Sequence, residues 1–186
     1  MPVRPPDGAA RACNAPPEKT APLPELPALV LAARQRAVRY DHARLSAIVR
    51  SALPDCVAVS IRLGGPLSSI RTVECSVVGS RTMAKIHRDF LGERGATDVI
   101  TFPYGEIVVC ATVAASRAPE FGHPVADELA LYCIHGLLHL AGLDDAAPSD
   151  ADRMRREQKR ILKAAAMAQR PPNGKKTNKE WPQHDQ

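Results

Sequence analysis

Two histidines four residues apart, His135 and His139, are the residues of this chain whose spacing first implies chemistry. On a helix, positions i and i+4 project from one face a turn apart, so both imidazoles can reach one ion at ~2.0–2.1 Å. The pair alone is weak evidence. Six histidines in 186 residues give roughly 0.2 such pairs by chance, and two hydrogen-bonded core histidines would explain it as well. The residues that follow add weight. Gly142 stands three positions after His139, where a left-handed stop turns a chain back toward its helix, and Asp144 and Asp145 come next. Such a return brings a carboxylate to the imidazoles. A set of His135, His139 and Asp145 leaves a fourth coordination position open, which is what a catalytic zinc site needs to lower the pKa of a water toward ~7. Capping of the next helix is the competing role for the two aspartates. Position 136 is Gly and not the Glu that an HExxH metallopeptidase uses as its general base, so peptide hydrolysis is the poorer assignment. A glycine there lets another backbone come close to the helix.

The elements that must position this set follow from the hydrophobic periods. A long helix is predicted from about Val125 to Ala141, with Leu129, Tyr132, Cys133, Leu137 and Leu140 as its apolar body. Upstream, Leu29 to Tyr40 alternates loosely and reads as a first strand. Asp41 is placed to cap a helix carrying Leu45, Ile48, Val49 and Leu53. Val57 to Leu63 alternates as a strand ended by Gly64-Gly65-Pro66, and Val73 to Val78 as another. Ser80 then caps a helix with Met83, Ile86, Phe90 and Leu91 on one face, stopped by Gly92. Two strands, Asp98 to Phe102 and Glu106 to Cys110, are joined through Pro103-Tyr104-Gly105, and a last helix runs from about Ser149 to Ala166. The fold class expected is α/β (α+β): a single domain with one central mixed sheet packed by helices, and a metal site on the long helix and the turn after it. Residues 1–27 hold eight of the 17 prolines and read as a disordered extension. Residues 168–186, with Lys175, Lys176 and Lys179, read as a basic, disordered tail, leaving 28–167 as the folded domain.

Composition bounds the function. A chain of 186 residues with 45% hydrophobic content suits one domain that folds without disulfides or a structural metal. The net charge of +5 permits a polyanionic partner without requiring one. Aromatics at 4% argue against a base-stacking surface of the kind that dominates single-strand binders. No apolar run approaches the ~20 residues of a membrane span. Five scattered cysteines without a CxxC argue against a disulfide framework and a cysteine zinc site, and point to a reducing cytoplasm. The apolar run Ala28 to Ala33 continues straight into Arg34 and Arg36 behind a Pro-studded segment, which is not the form of a secretory signal.

The segment from His135 to Asp145, HGLLHLAGLDD, resembles the HGxLHLxGYDH signature of the YbeY-type rRNA maturation factors, a family of bacterial zinc-dependent endoribonucleases. A second block, Ala96 to Pro103, is similar to the family's PTDVLSFP, and Gly105 to Val109 to its GDIVI strand. The blocks stand in family order and the resemblance covers roughly residues 55–165. It implies a metal-dependent hydrolase of RNA phosphodiesters, with one divalent metal (zinc) as cofactor. It also implies an rRNA precursor of the small ribosomal subunit as partner, and cytoplasmic location. Carried onto this chain, His135 and His139 are metal ligands, and Asp145 takes the place of the family's third ligand, a histidine. Aspartate is a harder, negatively charged ligand, so it would activate water less strongly and better tolerate harder ions. The family's Asn and Arg upstream of its TDV block fall on His87 and Leu91, and Arg88 and Arg94 are the neighbouring candidates to hold phosphate. Asp144 is the candidate to orient His139 or to move a proton.

Two other readings stay open: an RNA-binding assembly factor with a structural metal, and a metallopeptidase. A basic stripe on the last helix (Arg153, Arg155, Arg156, Lys159, Arg160 and Lys163) reads first as a solvated face and second as a phosphate track. His87 reads as a surface helix residue. His42 and His123 have no partner at ligand spacing, and the cysteines as core filling. Thr97 and Asp98 suit either a substrate groove or a strand-starting hydrogen bond.

Overall fold

The computed structural model describes residues 25–169, ordered as β1 (Ala28–Ala33), α1 (His42–Leu63), a 3-10 turn (Pro66–Ser68), β2 (Thr72–Val78), α2 (Ser80–Leu91), β3 (Val99–Phe102), β4 (Glu106–Cys110), α3 (Ala111–Arg117), α4 (Val125–Leu140) and α5 (Pro148–Ala168). The expectations for residues 1–24 and 170–186 lie outside the described residues. The strands form one mixed sheet in the order β1-β2-β4-β3, with β1, β2 and β4 parallel and β3 antiparallel to β4. This is the expected α+β fold class.

Alternation along the strands divides the interior in two. Ile107 and Val109 of β4 point into the large core with Val73, Cys75 and Val77 of β2 and with α1, α4 and α5. Val108 and Cys110 point to the other face, where they meet Ile100 of β3 and Met83 of α2. The helix carrying the histidine pair therefore lies on the crowded side of the sheet, with Leu129, Ile134, Leu137 and Leu138 fully buried.

The segment Val57 to Leu63 is helix, not strand. Buried residues at 45, 48, 49, 52, 53, 56, 57 and 60 continue one helical stripe through Pro54. Pro54 sits on the exposed face beside Arg50, where a carbonyl deprived of its helical donor meets water. The alternation of Val57, Val59, Ile61 and Leu63 is incidental, and Ile61 is exposed. The first strand also stops early, at Ala33, seven residues before Tyr40. Asp41 caps α1 as expected, accepting the Arg44 N–H at 2.9 Å. Gly79 occupies the cap position of α2, and Ser80 is its first helical residue. The short α3 has no counterpart in the sequence reading. Its ATVAASR segment carries neither a long apolar period nor a side-chain cap.

The first turn of α4 is tied to α1. The Arg44 guanidinium grips the carboxylate of Asp127 with both Nε and Nη2, the latter at 2.8 Å, and Asp127 is 5% exposed. Acidic groups at this end of a helix also suit the helix dipole. Four cysteines (Cys56, Cys75, Cys110 and Cys133) are buried and free.

Candidate metal centre

The α4 stripe buries its apolar residues and leaves the two histidines at the sheet's edge, partly exposed to a cleft of about 480 Å³. After Leu140 the backbone turns through Gly142 at φ +93°, a conformation that glycine adopts without strain. The Leu143 N–H bonds to the Leu138 carbonyl at 3.0 Å, as in a Schellman-type reversal, and the chain comes back toward the imidazoles. The returning segment places Asp145 Oδ2 3.4 Å from His135 Nε2 and Oδ1 3.9 Å from His139 Nε2, while the two Nε2 atoms are 2.9 Å apart. These three edges straddle the ~3.3 Å edge of a tetrahedron whose metal–ligand bonds are ~2.0–2.1 Å. Among the described residues this is the group of three His, Cys, Asp or Glu side chains able to hold one ion.

The outer nitrogens fix the chemistry of the inner ones. His139 Nδ1 lies 3.1 Å from the Leu143 carbonyl oxygen, which can only accept, so Nδ1 carries the proton. His135 Nδ1 lies 3.3 Å from Gln158 Oε1, while the Gln158 amide nitrogen donates to the Leu131 carbonyl. His135 therefore donates from Nδ1 as well. Both Nε2 atoms then present lone pairs to each other at 2.9 Å, a repulsive contact that a cation between them relieves. Burial, and next the neighbouring His139, push the His135 pKa below that of an ordinary histidine. Protonation is thus the less favourable way to relieve the contact, and a neutral imidazole ligates without releasing a proton.

Gly136 has a different purpose from the one expected of it. A Cβ there would meet Ile107 Cγ2 at 2.7 Å and Thr101 Oγ1 at 2.8 Å, so side chains of the sheet, rather than a backbone, occupy the space. This close approach seats α4 directly on β3 and β4. Thr101 and Asp98 also border the cleft, and Asp98 starts β3 by accepting the Val99 N–H at 2.8 Å.

The remaining candidates are dispersed. Asp144 accepts the N–H groups of Asp145 (2.8 Å) and Ala146 (3.3 Å), so it shapes the turn, and the orienting acceptor on His139 is the Leu143 carbonyl. Arg88 is exposed on α2 and pairs with Asp89, and Arg94 is exposed in the following loop; neither borders the cleft. His87 is more than a surface residue. Its side chain is 12% exposed and clasps the loop after α2, with Nδ1 3.0 Å from the Gly95 carbonyl and Nε2 3.2 Å from Glu93. Gln158 is the site residue the sequence reading missed. It falls on the inward stripe of α5 with Met154, Ile161, Leu162 and Ala165, and a polar residue on that stripe was the available signal.

His123 also acquires a partner. Its Nε2 lies 3.0 Å from Glu128 in the first turn of α4, and both side chains are at most 10% exposed. The hydrogen bond to Glu128 raises the His123 pKa against the opposing effect of burial. A histidine pKa raised in the folded state stabilises fully below its ordinary value near ~6.5, and the contribution is lost as pH rises through the raised value. The stability advantage of the wild type over His123→Gln, measured by urea unfolding, is therefore expected to shrink by about 1 kcal/mol from pH 6 to pH 9. An advantage that grows with pH would contradict the pairing.

The family model described as "Endoribonuclease YbeY" matches residues 31–166. Among curated relatives, the endoribonuclease YbeY of Frankia casuarinae is 31% identical over 155 residues, covering 73% of this chain and 73% of its own. That of Thermobifida fusca is 32% identical over 147 residues (70% and 89%), and that of Elusimicrobium minutum 37% over 116 residues (56% and 81%). A solution structure of a Thermotoga maritima protein superposes with a TM-score of 0.51 at 24% identity, covering 80% of this chain and 99% of that one, and bears on the fold alone.

Proposed function

The chain belongs to the YbeY endoribonuclease family, and from that premise we propose that it is a metal-dependent endoribonuclease that cleaves RNA phosphodiesters in the maturation of ribosomal RNA. The family supports the endoribonuclease role. The observation that carries metal dependence is the opposed pair of Nε2 lone pairs at 2.9 Å with the Asp145 carboxylate beside them.

His135, His139 and Asp145 hold the ion, and zinc suits two imidazoles with one carboxylate. When bound, the ion supplies Lewis acidity at a phosphoryl oxygen and a lowered pKa for water. The charge of the cleft supports this reading. Its charged lining residues besides the histidines are Asp98 and Asp145, and no Lys or Arg among the described residues borders it. Two carboxylates alone repel a phosphodiester, so a cation in the His-His-Asp set is what makes the cleft attractive to one. Leu143 and Gln158 hold the imidazoles in the ligating tautomer. Asp144 keeps the Asp145 turn in shape, and Arg88 and Arg94 hold phosphates of the strand outside the cleft.

The test is metal counting by mass spectrometry beside RNA cleavage. One ion per chain is expected, with cleavage lost on chelation and restored by the metal. Asp145→His is expected to retain the ion and to shift metal preference toward softer ions. Cleavage by metal-free protein would overturn the reading. The absence of a cationic side chain among the described residues lining the cleft favours one alternative, an RNA-binding assembly factor with a structural ion, and a metal-loaded chain that binds RNA without cleaving it would establish that instead.

A further inference from the structure

We infer that Phe90, Phe102 and Tyr104 form a stacking step for an unpaired base of an RNA strand entering the metal cleft, a subsite that rests on the RNA-cleaving reading above. With three Phe, three Tyr and one Trp in the chain, three of these rings gather at one place. The composition argues against an extended stacking surface, and the fold makes one local step instead. Phe102, at the end of β3, stacks on Tyr104 with centroids 5.5 Å apart and planes 20° apart, and Phe90, at the end of α2, meets Phe102 edge-on at 5.1 Å. Tyr104 and Phe90 are each 66% exposed, although Phe90 belongs to the apolar face that α2 would ordinarily bury.

The step adjoins the cleft through its own chain neighbours. Leu91 follows Phe90, Pro103 lies between Phe102 and Tyr104, and both border the cleft with His135, His139 and Asp145. The Tyr104 hydroxyl donates to Glu106 Oε2 at 3.2 Å, which holds the ring in place before anything binds. Position selects the occupant. The cationic groove of Arg81, Lys85 and Arg88 lies on the face of α2 opposite Phe90, so it takes no part in the step. Exposed rings flanking the residues that border a cleft for phosphodiester chemistry match the splayed bases of single-stranded RNA.

The test is equilibrium binding of a single-stranded 2′-O-methyl oligoribonucleotide carrying 2-aminopurine, which the enzyme cannot cleave by 2′-hydroxyl attack. Fluorescence quenching is expected on binding to metal-loaded protein. Tyr104→Ala and Phe90→Ala are each expected to weaken binding about tenfold and to reduce the quenching, whereas Tyr104→Phe keeps both. Arg81→Ala with Lys85→Ala, on the opposite face of α2, should leave the quenching at saturation intact. Both aromatic substitutions are at exposed positions, and circular dichroism serves to check that the variants fold. Binding within twofold of wild type in both alanine variants would overturn the proposal. Dissociation of a dimer by these substitutions with RNA binding unchanged would also overturn it, assigning the face to a second copy of the chain. Cleavage of unmodified RNA separates the two claims. Wild type that binds through Tyr104 but cleaves no RNA removes the nuclease reading and keeps the step, and wild type that cleaves RNA indifferently to Tyr104 removes the step and keeps the nuclease.

Discussion

His139→Ala is expected to release the bound ion and to lower RNA cleavage by about 10³-fold, the rate equivalent of several kcal/mol of Lewis-acid stabilisation. The substitution removes one of three ligating atoms and the 3.1 Å hydrogen bond to the Leu143 carbonyl, which pins the turn that delivers Asp145. The remaining pair, His135 and Asp145, offers two ligands where a tight site requires three or more. Metal content by mass spectrometry and single-turnover cleavage of a ribosomal RNA fragment measure the two losses together. Stability should change little, because the His139 side chain is 28% exposed and leaves no large cavity. Cleavage that survives at the wild-type rate would belong to a contaminating nuclease and would remove this site from the reaction.

The second large effect is expected at a residue that offers no ligand atom itself. A Cβ placed on Gly65 would lie 2.2 Å from the Ala141 carbonyl oxygen, 2.3 Å from its carbon and 2.9 Å from Gly142 N. These are backbone atoms at the end of α4, and no rotamer change can clear them. The loop after α1 packs against the reversal that carries Leu143 and Asp145, so Gly65→Ala must push that reversal outward. A loss of about 3 kcal/mol is expected, which for a domain of this size lowers the melting temperature by roughly 10 °C. The ion should be held less tightly in the same variant, since the Leu143 carbonyl and Asp145 move with the turn. Calorimetry with and without chelator measures both effects. A melting temperature within 2 °C of wild type, with full metal content, would show that the loop and the reversal are not coupled.

The parts of this architecture legible in the sequence are those set by strong local patterns. The long apolar body of α4, the i, i+4 histidines and Gly142 act within a few residues of one another, and the family motif spans the same segment. The strands Thr72–Val78 and Glu106–Cys110 are buried on both faces or nearly so, and their β-branched runs read clearly. The segment Val57 to Leu63 misled because its alternation has the period of a strand, whereas the buried stripe of α1 runs on through it and past Pro54. At an exposed position the cost of that proline was small enough for the buried stripe to override it. The acceptors of the two imidazoles were hidden for a different reason. One is a backbone carbonyl, which every residue has, and the other comes from a helix 23 residues further along the chain. Phe90 and Leu91 fit a buried face by spacing, yet Phe90 meets Phe102 at the end of the edge strand β3, and both stay largely exposed.

The acceptor from α5 bears on the order in which a ribosome delivers the chain. Both candidate imidazoles and Asp145 emerge before Gln158 does, and α5 docks on α1 and α4 only once its inward residues through Ala165 are available. A nascent polypeptide stopped short of that helix would carry all three proposed ligands but would lack the acceptor that holds the His135 ring in its ligating tautomer. Assembly of the proposed metal centre thereby waits on a helix made after every residue that would touch the ion.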